Sequence, residues 1–161
     1  MKSELKPILL AEDNPNDGEL TVSALAENNL ANRVITVRDG AEALNYLYRR
    51  GAYADAERPV VVLLDIKMPK LDGIETLRLM KADPELARIP VVMLTSSREG
   101  PDVRECYRLG VNAYVVKPVD FQEFFEAVKV VGRFWGVVNE LPEPEGPPSS
   151  PSGQRRRPGA L

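Results

Sequence analysis

Five short runs of Val, Ile, Leu and Ala recur along the chain, at 7–11, 33–37, 60–64, 91–94 and 113–116, and amphipathic stretches separate them. Three of the runs are continuous instead of alternating apolar with polar, which is the pattern of parallel strands buried on both faces. The intervening stretches read as helices. One opens at Asn14-Pro15, a capping residue followed by proline at the first helical position, and places Leu20, Ala24 and Leu25 at helical spacing. Others fall at 41–50, 74–82, 102–109 and 120–138, the last opening on Asp120 with Glu123 three residues on, as in a capping box. Five strands alternating with five helices predict an α/β fold with a doubly wound, five-stranded parallel sheet. Ligands of such sheets bind at the carboxyl ends of the strands.

The alternation ends near residue 140. Residues 141–161 hold six of the fourteen prolines and three glycines, and such a segment buries too little apolar surface to offset its ordering entropy. The expected organisation is one domain over 1–140 and a disordered, proline-rich tail over 141–161. The first ten residues carry Lys2, Glu4 and Lys6 ahead of a short apolar run, which is no signal peptide, and nothing approaches the length of a membrane span. The expected location is therefore cytoplasmic, with no membrane partner.

Among the 161 residues there is no histidine and one cysteine. That excludes a Ser-His-Asp triad, an imidazole base, a His-ligated zinc site and an internal disulfide. With 21 basic and 24 acidic side chains the net charge is −3, against the basic face of a nucleic-acid binder. Chemistry here has to rest on carboxylates, lysines, hydroxyls and backbone amides, with a hard metal if any.

The predicted strand ends carry those groups. Glu12 and Asp13 follow the first run, Asp65 the third, Thr95, Ser96 and Ser97 the fourth, and Lys117-Pro118 the fifth. Three carboxylates converging on one sheet edge repel one another unless a cation joins them, and an all-oxygen site suits Mg²⁺, with Mn²⁺ the other candidate. A lysine and a threonine at the same edge supply charge and a donor for phosphoryl oxygens. A carboxylate nucleophile, a metal and neutralising groups are the parts of a phosphoryl-transfer site.

Four segments in register give these residues a family. Leu9-Leu10-Ala11-Glu12-Asp13-Asn14, Leu64-Asp65-Ile66-Lys67-Met68-Pro69 with Asp72-Gly73, Leu94-Thr95-Ser96-Ser97 and Tyr114-Val115-Val116-Lys117-Pro118 resemble the motifs of the receiver domain of bacterial two-component response regulators. The resemblance implies the flavodoxin-like (βα)5 fold with strand order 2-1-3-4-5. It implies Asp65 as phosphoryl acceptor and Glu12, Asp13, Asp65 and the Lys67 backbone carbonyl around Mg²⁺. Thr95 and Lys117 would engage the phosphoryl oxygens, Tyr114 would be the aromatic switch, and the Lys117–Pro118 bond would be cis. It further implies a phosphohistidine donor on a sensor kinase, which accords with the missing histidine, and self-catalysed phosphorylation and hydrolysis in place of turnover as an enzyme. Glu12 stands where aspartate is commoner, and Lys67 and Ser97 occupy variable places that influence phosphoryl lifetime.

The pattern is also similar to stand-alone regulators partnered with bacterial phytochrome kinases, whose output is a protein contact or onward phosphoryl transfer. The last helix carries Phe121, Phe124, Phe125, Phe134 and Trp135, a wider apolar surface than one sheet face needs. Two readings stand: a homodimer seam involving Phe134 and Trp135, or a helix end folded back on its own domain. Two other functions compete with the receiver. A phosphohydrolase with an aspartyl nucleophile would want an acidic residue where Lys67 stands, and a flavodoxin-like interaction module that is never phosphorylated would not need Asp65, Thr95 and Lys117 together.

Overall fold

A computed structural model of the chain describes residues 6–27 and 32–135. The elements run β1 (Ile8–Ala11), α1 (Pro15–Glu27), β2 (Val34–Val37), α2 (Gly40–Leu47), a single 3₁₀ turn (Gly51–Tyr53), β3 (Val61–Leu64), α3 (Gly73–Ala82), β4 (Val91–Thr95), α4 (Gly100–Leu109), β5 (Ala113–Val116) and α5 (Phe121–Arg133). All four strand pairings are parallel and the order is β2-β1-β3-β4-β5, as expected. The sheet is doubly wound.

Strand alternation builds two cores from one sheet. Leu9, Ala11, Val62 and Leu64 point to one face and pack with Leu77, Met80 and Cys106 of α3 and α4. Ile8, Leu10, Val61 and Leu63 point to the other and pack with Ala24 and Leu25 of α1 and Phe124 and Val128 of α5. Continuous apolar runs in β1 and β3 are thus the direct consequence of burial on both faces.

Several boundaries differ from the sequence reading, each for a local reason. The helix expected over 41–50 stops at Leu47, since Arg49 takes a left-handed φ of 56°, a conformation that ends a helix. The helix expected from 102 begins at Gly100, with Pro101 in its first turn. The helix expected over 120–138 is regular to Arg133, and Phe134 and Trp135 continue it as a π-type turn behind Gly132; residues 136–138 lie outside the described residues. So does the expected tail at 141–161. The Lys117–Pro118 bond is trans, contrary to expectation, as are all peptide bonds among the described residues. Trans is the lower-energy isomer by about 0.5–1 kcal/mol before proline, and with it the Lys117 side chain already reaches its carboxylate partners.

Candidate phosphoryl-acceptor site

Register places the site. Leu64 lies beside Ala11 on one side and Met93 on the other, so the next residues, Asp65, Glu12 and Leu94-Thr95, emerge at one carboxyl edge. Two backbone bonds hold this edge: Asp65 N–H donates to the Ala11 carbonyl at 3.1 Å, and Lys117 N–H to the Thr95 carbonyl at 2.7 Å. Behind Asp65, Gly73 opens α3 so close to the Asp65 carbonyl that a Cβ there would overlap it.

At the centre is an ammonium among carboxylates. Lys117 Nζ lies 2.6 Å from Glu12 Oε2, 3.0 Å from Asp17 Oδ2 and 3.1 Å from Asp65 Oδ2. The Lys117 and Glu12 side chains are only 7% and 3% exposed. Burial works to pull the lysine's pKa down, and Glu12, Asp65 and Asp17 more than offset it, so the ammonium is held above its ordinary value. For Glu12, burial is the largest influence and pushes the carboxyl up to about 7, opposed by Lys117 and by the Asn14 N–H that donates to Oε1 at 3.0 Å. Asp13, next in the chain, is exposed. It borders a groove of about 430 Å³ between α1 and β2, shared with Asn14, Glu19, Thr36 and Arg38.

A second half, built on hydroxyls, adjoins this one. Thr95 is fully buried, and its Oγ1 accepts the Ser97 N–H at 3.3 Å. Tyr114 donates its hydroxyl to the Ser97 carbonyl at 2.9 Å, and Ser97 donates its own to Asp102 Oδ2 on α4 at 2.6 Å. Ser97 is therefore the junction through which Thr95, Tyr114 and α4 meet.

The donors suit a hard divalent cation. Asp65 Oδ1 is buried with no hydrogen-bond partner in the structure, leaving lone pairs directed into a desolvated space at net negative charge. No three acidic, cysteine or histidine side chains form a ready-made cage among the described residues. Mg²⁺ needs none, since it commonly takes one or two carboxylates and keeps much of its water.

Of the residues singled out from sequence, Asp65 and Glu12 both contact Lys117, and Thr95 and Tyr114 are joined through Ser97. Lys67 is exposed in the loop beyond Asp65. Phe134 and Trp135 lie elsewhere: they meet edge to face at 5.1 Å, with Trp135 packed on the α1/α5 core and Phe134 exposed. Asp17 was not anticipated. Its one signal in the sequence is an acidic side chain in the first turn of α1, one turn past Asp13.

The model of the response regulator receiver domain matches residues 8–129. The chain belongs to the response regulator receiver family. It is 39% identical over 137 residues to response regulator Rcp1 of Synechocystis sp., covering 85% of this chain and 93% of that one. The Mn²⁺-bound crystal structure of Rcp1 superposes with a TM-score of 0.81, covering 85% of this chain and 99% of that one at 39% identity. The phosphorylated cyanobacterial phytochrome response regulator RcpA gives 0.82 at 44% identity, covering 86% and 99%. The bacteriophytochrome response regulator AtBRR is 55% identical, with a TM-score of 0.69 and coverage of 86% and 100%. Membership makes the chain a phosphoryl-accepting receiver of two-component signalling, and receivers bind Mg²⁺. Among the described residues no helix is long and apolar enough to cross a membrane.

Proposed function

We propose that Asp65 is the phosphoryl acceptor, that Asp13, Asp65 and the Lys67 carbonyl hold Mg²⁺ with Glu12 acting through water, and that Thr95 and Lys117 engage the phosphoryl oxygens. The observation that carries this reading is the Lys117 ammonium 3.1 Å from Asp65 Oδ2 while Asp65 Oδ1 is buried and unpartnered. An Asp65 oxygen forms the new P–O bond as the P–N bond of a partner's phosphohistidine breaks, and the electron pair leaves with the imidazole. Bound Mg²⁺ would neutralise charge on the phosphoryl oxygens. Lys117 supplies a second positive charge, and Thr95 a hydroxyl donor once it turns from Ser97. Phosphorylation and the later hydrolysis are both catalysed by the receiver itself.

The phosphoryl group carries close to two negative charges. Drawing Thr95 inward loosens its bond to the Ser97 N–H, and Tyr114, held to the Ser97 carbonyl, reports that change to the surface of α4 and β5. The output is a protein contact or onward transfer to a second protein. The donor is a sensor histidine kinase of the bacterial phytochrome type, supported by likeness to RcpA and AtBRR. Phe134, exposed at the end of α5, contributes with Trp135 to a homodimer seam. The receiver occupies 1–140 of a cytoplasmic protein, followed by the proline-rich tail.

Intact mass after incubation with Mg²⁺ and acetyl phosphate tests the acceptor. One phosphoryl group should be added to the wild type and none to Asp65→Asn. Labelling of Asp65→Asn at the wild-type rate would sink the assignment, and no uptake by either would favour the unphosphorylated interaction module. A kinase of the phytochrome type, phosphorylated beforehand, should transfer its label within seconds to minutes. The seam predicts a concentration-dependent mass that Trp135→Ala shifts toward monomer.

A further inference from the structure

Asp17 is the member of the ammonium cluster that the acceptor chemistry leaves without a task. Its Oδ2 lies 3.0 Å from Lys117 Nζ, reached from the first turn of α1, where the Asn14 side chain accepts the Asp17 N–H and the Asp17 carbonyl accepts the Thr21 hydroxyl. The Asp17 backbone is thereby tied at both its N–H and its carbonyl, and the carboxylate reaches the lysine from a defined place in the helix. An ammonium has three N–H bonds. Glu12, Asp17 and Asp65 use all three.

A phosphoryl group on Asp65 brings three more acceptor oxygens, and the ammonium can turn to them fully only by giving up a carboxylate. Glu12 is the costlier one to abandon, because at 3% exposure its carboxylate has no bulk water to take the place of the ammonium. Asp17 is different: its side chain is 36% exposed, so water replaces the lost bond at little cost.

We propose that Asp17 is a positioning residue that restrains Lys117 in the unphosphorylated protein and releases it when the phosphoryl group arrives, so that its strength of hold sets how readily Asp65 is phosphorylated. The proposal rests on Asp65 being the acceptor. Removing the charge should therefore speed the reaction, the opposite of what loss of a structural support would do.

The test is a double-mutant cycle on Asp65 labelling by acetyl phosphate with Mg²⁺. Asp17→Asn should raise the rate about two- to fivefold, the range for releasing a partly exposed ion pair, while Asp17→Glu, which keeps the carboxylate, stays close to wild type. In a Lys117→Met background the same Asp17→Asn change should have no effect. An equal gain in both backgrounds would mean long-range charge alone and overturn the proposal, as would an unchanged or slower Asp17→Asn. Two readouts are independent of labelling. The Lys117 ammonium should give a slowly exchanging ¹⁵N signal in the wild type that broadens in Asp17→Asn, and an unaltered signal counts against the restraint whether or not Lys117→Met folds. Mn²⁺ affinity should hold in Asp17→Asn; a loss of about tenfold or more, as for a lost outer-shell metal partner, would make Asp17 part of the metal site instead. If the wild type takes up no phosphate, or Asp65→Asn takes it up normally, the acceptor reading fails, and the ammonium signal still decides whether Asp17 holds Lys117.

Discussion

α3 and α4 are both ten residues long, adjacent in the fold and on the same face of the sheet, yet they are fastened by different physics. α3 buries Gly73, Thr76, Leu77 and Met80, and its N-cap Asp72 accepts the Glu75 N–H. α4, all of it among the described residues, buries Cys106 alone, and its N-cap Glu99 makes no side-chain capping bond. Beyond Cys106 and a half-buried Leu109 on the core, what α4 has is polar: Asp102 to the Ser97 hydroxyl, and Glu105 to Arg78 of α3. Apolar burial is non-directional and holds a helix through small displacements, whereas a hydrogen bond is lost within about an ångström of movement. The helix that leads from Asp65 is thus anchored by burial, and the one that leads from Thr95 is anchored by bonds that a shift of Ser97 would break. On the proposed reading, the acceptor would stay fixed while the reporting surface moves.

The sharpest way to break this contrast is to remove equivalent anchors. Leu77→Ala empties a fully buried position and should cost about 2–5 kcal/mol of global stability, read from the midpoint of urea unfolding. Cys106→Ala, the corresponding change in α4, should cost about 1 kcal/mol. Equal losses at the two positions would dissolve the distinction. Hydrogen exchange should agree, with α4 amides opening well below the global unfolding free energy and α3 amides near it.

How much of this could be read from the chain follows the same division. The positions of Glu12 and Asp65 are legible because burial of β1 and β3 on both faces writes itself as continuous apolar runs, and the residues after such runs must lie at the carboxyl edge. β5 is only half-buried, and Lys117 stands out there by the proline that follows it. The contacts of α4 are not legible. That Ser97 joins Thr95, Tyr114 and Asp102 depends on the path of a loop, and hydroxyls and carboxylates carry no periodicity that would reveal their partners. Asp17 was invisible for a related reason: it meets Lys117 one hundred residues away, across the α1–β5 side of the sheet. The Lys117–Pro118 isomer is not legible in the sequence, because the two isomers differ by so little that the dipeptide does not settle it.

A smaller effect tests the polar anchor directly. Asp102→Asn keeps the shape of the side chain but weakens its bond to Ser97, and should cost about 0.5–1 kcal/mol. Cys106 is a convenient reporter of the consequence. Burial, reinforced by the carboxylates of Asp102, Glu105 and Asp72, pushes its thiol up to about 11, so in the closed helix it is both inaccessible and protonated at pH 8. Labelling by a thiol reagent then measures the opening of α4. Asp102→Asn should label several times faster than the wild type under native conditions, while Leu77→Met, which nearly preserves α3 packing, should not. A labelling rate indifferent to Asp102 would mean that α4 is held by something other than the Ser97 junction.

The smallest expected effect concerns the ionic tie between the two helices. Glu105 accepts two bonds from Arg108, at 2.9 and 2.6 Å, and one from Arg78, at 3.1 Å; Arg108 and then Arg78 hold its carboxyl down to about 2, from 4.5. Because the folded value lies below the unfolded one, its contribution is complete above pH 4.5 and is lost as the pH falls toward 2. Between pH 7 and 5 the tie is therefore indifferent to pH, but it is solvent-exposed and hence screened by salt. Arg78 is the informative partner to remove, since Arg108 lies on α4 itself and does not cross to α3. Arg78→Met should quicken Cys106 labelling slightly at low salt and not at all in 1 M NaCl, where the wild type has already lost most of the attraction. If Arg78→Met instead matches Asp102→Asn at every salt concentration, the charged tie rather than the Ser97 junction restrains α4, and the coupling of Thr95 to the surface would have to run through α3.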